Sequence, residues 1–138
     1  PTKNAVPRAI SPAKTKECPM SDSAFKLIVR QTITPGGIDE FRRCSQLGAG
    51  NAEANEPGTL GYEFFVNEDG TESYLVEYYA DSQSFLTHFA NVQPILEAAM
   101  KVSGMVEAVV LGDPTPEART MLAALGVKYY PERIGFCR

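Results

Sequence analysis

Between residues 25 and 33, Phe25, Leu27, Val29, Gln31 and Ile33 alternate with Lys26, Ile28, Arg30 and Thr32. That period of two predicts a strand, closed by the turn signal Pro35-Gly36-Gly37. Ile38, Phe41, Cys44 and Leu47 then recur at three-residue spacing, with Asp39 and Glu40 ahead of Arg42 and Arg43 as a helix dipole favours. An amphipathic helix follows, which Gly48, Gly50 and the Asn- and Ala-rich run to Glu56-Pro57-Gly58 are expected to end. Thr59 to Asn67 reads as a second strand and Ser73 to Tyr79 as its return. The two are joined at Glu68-Asp69-Gly70, where Asp and Gly tolerate positive φ. Asp81 is placed to cap a second helix with Phe85, Phe89 and Val92 on its apolar face, and Pro94 is expected to kink or restart it before Ile95, Leu96, Ala99 and Met100. A fourth strand is predicted from Met105 to Leu111. In the tail, Asp113-Pro114-Thr115-Pro116-Glu117 starts a short helix, Gly126 stops it, and Val127 to Tyr130 adds an edge strand.

The order strand, helix, strand, strand, helix, strand is the split βαβ arrangement of ferredoxin-like α+β domains, with helices on one face of an antiparallel sheet. Alternation assigns Leu27, Val29, Tyr62, Phe64, Val76, Tyr78, Val106 and Ala108 to the helix-covered face. The other face then mixes Ile28, Phe65, Leu75 and Tyr79 with Arg30, Glu63, Glu77 and Glu107. So much apolar area on an uncovered face predicts pairing with a second copy, Glu77 forming an interface ion pair with Arg30. Residues 1–24, with Pro1, Pro7, Pro12 and Pro19 and no apolar period, predict an arm, either mobile, as composition favours, or laid across a partner subunit. Residues 25–111 form the domain, and 112–138 add a helix and short strand whose Met121, Leu122, Leu125, Tyr129 and Tyr130 need burial against it.

A length of 138 residues fits one domain, and 13 Lys+Arg against 17 Asp+Glu leave a net charge of −4, so the chain lacks the basic footprint of a nucleic-acid partner. No apolar run approaches the ~18 residues of a membrane span, and the N-terminal stretch lacks the apolar middle of a signal peptide, which predicts a cytoplasmic protein with no membrane association. Cys18, Cys44 and Cys137 form no CxxC pair, so all three read as reduced thiols. One histidine and three scattered cysteines offer no metal-ligand spacing. Gly48-Ala49-Gly50 lacks the third glycine and the preceding strand of a dinucleotide fingerprint, so it reads as a loop.

His88, the chain's one histidine, shares a helix face with Phe85 and Val92 and so points toward the sheet. Periodicity allows it a structural hydrogen bond or the role of a base. Tyr62, Tyr78 and Tyr79 can donate hydrogen bonds to a substrate oxygen, and Phe64, Phe65 and Phe85 can stack on a ring, although strands enrich aromatics for packing alone.

Taken together, Glu56-Pro57-Gly58-Thr59-Leu60-Gly61-Tyr62, Glu77-Tyr78-Tyr79-Ala80-Asp81 and His88 seven residues on resemble, in order and spacing, the antibiotic biosynthesis monooxygenase family. The resemblance covers roughly residues 25–111. It implies a dimeric α+β barrel, with an apolar cavity between sheet and helices of each subunit. It also implies O2-dependent oxygenation of phenols, quinols or anthrone-like polyketides without metal, flavin or other cofactor. On that basis His88 and Tyr62 are the candidate catalytic residues and Val29, Phe64, Tyr78, Tyr79 and Phe85 the candidate substrate contacts. The implied partners are a small aromatic substrate, O2 and a second copy of the chain. The haem-degrading branch carries an Asn on strand one, a Trp near the end of strand three and a later His on the second helix. Here Val29, Tyr79 and Ala98 stand in those places, which disfavours haem degradation. A non-catalytic ligand-binding dimer and an isomerase or lyase are the alternatives on the same scaffold.

Overall fold

The computed structural model describes residues 23–138; all but the last two positions of the predicted N-terminal arm, residues 1–24, lie outside the described residues. The elements are β1 (Phe25–Ile33), α1 (Ile38–Asn55), β2 (Thr59–Val66), β3 (Glu72–Tyr79), α2 (Ser82–Met100), β4 (Ser103–Leu111), α3 (Pro116–Leu122), a 3₁₀ turn (Ala123–Leu125) and β5 (Lys128–Tyr130). They form a five-stranded sheet of order β2-β3-β1-β4-β5. All neighbours are antiparallel except β4 and β5, which run parallel because α3 carries the chain back across the sheet. This is the expected ferredoxin-like α+β fold, extended by one edge strand.

Local chemistry accounts for the element ends. Asp81 caps α2 by accepting from the Ser84 backbone N–H at 2.8 Å and from its hydroxyl at 2.7 Å. Thr115 caps α3 ahead of Pro116, whose missing N–H costs nothing at a first helical position. Gly70, at φ 73°, supplies the left-handed residue of the β2–β3 turn. Two predicted helix ends are displaced. α1 does not stop at Gly48 but continues to Asn55, and its buried stripe is Phe41, Cys44, Gly48 and Ala52, with Leu47 exposed. Gly48 is part of that stripe because the Tyr62 ring packs against its bare Cα, and this packing outweighs the weak helix preference of glycine. α2 runs unbroken through Pro94, and the Gln93 side chain donates to the Phe89 carbonyl at 2.8 Å in the same turn.

The phase of β3 is opposite to the expectation. Leu75, Glu77 and Tyr79 face the helices, in register with Val29, Leu27 and Phe25 of β1, whereas Val76 and Tyr78 face the uncovered side. Val106 is exposed as well, because the register between β1 and β4 shifts at Arg30/Gln31 and turns it out of line with buried Ala108. Arg30 pairs with Glu72 at 2.7 Å on the uncovered face, so the anticipated Arg30–Glu77 pair does not exist. The core unites Phe25, Leu27, Val29, Leu75, Tyr79, Phe85 and Val110 with Ala118 and Leu122 of α3. From the tail, Leu125 and Tyr129 pack against this core while Met121 and Tyr130 remain exposed. Cys44 is a free, buried thiol, but Cys137 is disulfide-bonded, which corrects the reading of all three cysteines as reduced; Cys18 lies outside the described residues.

Candidate active site

Between α1, α2 and the covered face of the sheet lies a cavity of about 340 Å³, walled mainly by apolar side chains. This is the size and character of a small-molecule site. Val29 of β1, Tyr62 and Phe64 of β2, and Phe85 and His88 of α2 all line it. Tyr79 does not reach the lining; it is fully buried behind it, its ring 5.4 Å from Phe85 and 5.7 Å from His88. Tyr78 is on the opposite face of the sheet, with the Lys26 ammonium 4.8 Å over its ring, so its expected contact with a ligand in this cavity is not realised.

His88 is held by a partner that periodicity does not reveal. Its Nδ1 lies 2.7 Å from Glu56 Oε1, and both side chains are buried. Thr59 Oγ1 donates to the same carboxyl oxygen at 3.0 Å, and Asn91 Nδ2 donates to Oε2 at 3.2 Å. Burial alone would raise the Glu56 carboxyl, but the hydrogen bonds from His88, Asn91 and Thr59 together hold it below the usual carboxylate range. With Glu56 ionised, Nδ1 must carry the proton it donates, so in the neutral imidazole the lone pair sits on Nε2. Nε2 is buried and without a hydrogen-bond partner among the described residues, and the Tyr62 ring stands 4.7 Å from the imidazole. Burial above all pushes the Tyr62 phenol far above its ordinary value and keeps it a donor.

The Glu56-Pro57-Gly58 segment explains itself in these terms. Glu56 closes α1, its backbone N–H bonding to Ala52 at 2.9 Å, and its side chain turns inward. Gly58 then passes so close to the start of α2 that a Cβ there would collide with Ser84, while its carbonyl accepts from Ala80 at 2.9 Å. The missing side chain lets β2 begin directly under α2 and brings Glu56 to His88, 32 positions away in sequence. Glu77, read from sequence as the partner of Arg30 in an interface ion pair, is a second unanticipated member of the cavity wall. No group of three or more His, Cys, Asp or Glu among the described residues could hold a metal ion, and no helix there is long and apolar enough to cross a membrane.

Fold and site together define a ferredoxin-like α+β domain with an apolar cavity and one buried histidine–glutamate pair in its wall. The chain belongs to the antibiotic biosynthesis monooxygenase family, whose model matches residues 24–101, more than half of its length. No curated relative matches it. Among solved structures it resembles MupZ from Pseudomonas fluorescens (23% identity, TM-score 0.75, covering 83% of this chain and 94% of that one). It also resembles SnoaB, a cofactor-independent oxygenase from Streptomyces nogalater (17% identity, TM-score 0.55, 67% and 95% covered). A third likeness is to Rv0793 from Mycobacterium tuberculosis (18% identity, TM-score 0.58, 67% and 97% covered). At these identities the structures establish the shared fold.

Proposed function

We propose that this protein is a cofactor-independent monooxygenase that oxidises a small phenolic or quinol substrate with O2 and works as a homodimer. Family membership supports oxygenase chemistry, as does the fold shared with SnoaB. The observation that carries the reading is the buried His88–Glu56 pair, with the unpartnered His88 Nε2 in the wall of an apolar cavity. A bound phenol requires a base to form the electron-rich anion that reduces O2, and a water-poor cavity to contain the reactive oxygen species. His88 Nε2 takes the hydroxyl proton, Glu56 stabilises the imidazolium, and the neutral Tyr62 hydroxyl orients the substrate oxygen. Val29, Phe64 and Phe85 pack on the ring, with Tyr79 supporting Phe85 and His88 from behind. The second copy is assigned to the uncovered sheet face, where Ile28, Val76 and Val109 line up across three strands beside exposed Phe65 and Tyr74.

The test is oxygen uptake with 1-naphthol, 1,4-dihydroxynaphthalene and anthrone, in protein shown free of metal and flavin. The expected result is turnover that falls about 10²–10⁴-fold in His88→Asn. The asparagine amide can still donate to Glu56, so the fold is retained while the base is lost. Absence of uptake on all three probes, or a full rate in His88→Asn, overturns the reading. Turnover that persists without O2 would replace oxygenation by isomerase or lyase chemistry, and tight binding without turnover would leave a ligand-binding dimer.

A further inference from the structure

Glu77 sits in the middle of β3, between Leu27 of β1 and Tyr62 of β2, with its side chain on the cavity wall and only 7% of its surface exposed. No cation pairs with it among the described residues; Arg30, which the sequence offers, projects from the other side of the sheet to Glu72. The titratable groups facing it are Tyr79 on its own strand, Tyr62 on β2, His88 on α2 and Glu56 beyond the end of α1. Its one hydrogen bond among the described residues comes from the Tyr79 hydroxyl to Oε2, at 2.7 Å. An ionised carboxylate with one neutral donor and apolar walls is strongly disfavoured. Burial accordingly raises the Glu77 carboxyl above the usual range, against the pull of His88 and the Tyr79 hydroxyl, and the charge of Glu56 adds to the rise. Burial likewise holds Tyr79 protonated, so its hydrogen occupies Oε2 and the acid proton of Glu77 belongs on Oε1. Two carboxyls in one site are thus in opposite states, Glu56 ionised and Glu77 neutral, the arrangement that separates base from acid.

We propose that Glu77 is the catalytic acid of this cavity, donating a proton from Oε1 to the oxygen reduced at the bound substrate while His88 acts as the base. The inference rests on the oxygenase reading above. For a phenol bearing an open ring C–H, His88 takes the O–H proton and the phenolate gives one electron to O2. The resulting radical pair joins through a new C–O bond, forming a peroxide anion. Glu77 protonates that anion. The Glu77 carboxylate then removes the ring C–H proton as the O–O bond breaks and the C=O bond forms. The departing hydroxide takes the proton from imidazolium His88 and leaves as water. Phenol and O2 become quinone and water, and both residues return to their starting states.

The experiment compares wild type, Glu77→Gln and Tyr79→Phe in O2 uptake with 1-naphthol, 1,4-dihydroxynaphthalene and anthrone across pH, together with infrared spectra of the unliganded proteins. Glutamine keeps the size of the side chain and the acceptor for Tyr79. The acid role predicts a kcat loss of about 10²–10⁴-fold in Glu77→Gln with KM little changed, and loss of a protonated-carboxyl band that the wild type shows at neutral pH. Tyr79→Phe removes the hydrogen bond that favours the carboxylate, so it should shift the alkaline limb of the pH–rate profile upward. Wild-type inactivity on every probe overturns the oxygenase reading and the assignment with it. An active wild type with Glu77→Gln at full rate, with no carboxyl band lost, or with an alkaline limb unmoved in Tyr79→Phe, overturns the Glu77 assignment alone.

Discussion

Removing Glu56 tests the joint on which the site is built. Three side chains from two elements converge on it: His88 at 2.7 Å and Asn91 at 3.2 Å from α2, and Thr59 at 3.0 Å from β2. Glu56→Ala leaves the His88 Nδ1–H buried with no acceptor, which costs about 1–3 kcal/mol, whereas Thr59 and Asn91 are less enclosed and lose roughly 1 kcal/mol each. The sum, about 3–5 kcal/mol, agrees with the usual penalty for deleting one partner of a buried pair. At about 4 °C per kcal/mol for a domain of this size, the melting temperature should fall by roughly 12–20 °C. Glu56→Gln keeps an acceptor for Nδ1 but exchanges charged hydrogen bonds for neutral ones of about half the strength, so a loss of only ~1–2 kcal/mol is expected. Calorimetry of the two variants from neutral to acid pH is the assay. Because Glu56 is held below the usual carboxylate range in the folded protein, its stabilisation is present above the ordinary value of about 4.3 and is lost as pH falls through the lower folded value. The gap between wild type and Glu56→Gln should therefore close on acidification. An alanine variant melting within ~3 °C of wild type at neutral pH, or alanine and glutamine variants that melt together, would refute the claim that Glu56 organises the site.

Glu77 should show the opposite pH signature. Its folded value lies above the ordinary one of about 4.3, so as pH rises past that point the unfolded chain releases a proton that the native state retains, and stability declines. Glu77→Gln lacks that proton, and its melting temperature relative to wild type should climb from acid to neutral pH; a constant difference would contradict a neutral buried carboxyl. On the uncovered face, Phe65→Lys combined with Tyr74→Lys should convert a sedimenting dimer into monomer without loss of helix content, since both side chains are exposed and lie opposite each other in register. A wild-type protein that sediments as an ideal monomer at micromolar concentration would remove the dimer from the proposal.

The elements whose signals are local could be read from the sequence. β1, the Asp69-Gly70 turn, the Asp81 cap and the inward direction of His88 each depend on a few adjacent residues, and each forms as those residues dictate. β3 was not legible in the same way, because both phases of the strand are apolar. Val76 and Tyr78 could cover a core as well as Leu75 and Tyr79, and the tie-breaker, Glu77, points by the ordinary rule to the solvent side. What reverses the rule is the surroundings that the fold gives the carboxyl. The Tyr79 hydroxyl on the same face satisfies one carboxyl oxygen, and the surrounding apolar wall disfavours the ionised form, so the carboxyl is buried neutral and its polarity no longer opposes the inward phase. Glu56 was concealed for a related reason: its partner is 32 positions away, and only the close passage of Gly58 past Ser84 brings the two together. The residues hidden from periodicity are the two buried carboxyls, and both depart from the burial rule that makes periodicity informative. A site that must hold one carboxyl charged and another neutral inside an apolar cavity has to break that rule twice, and the strand phase that misleads a sequence reading is the same one that puts Glu77 in the cavity wall with His88.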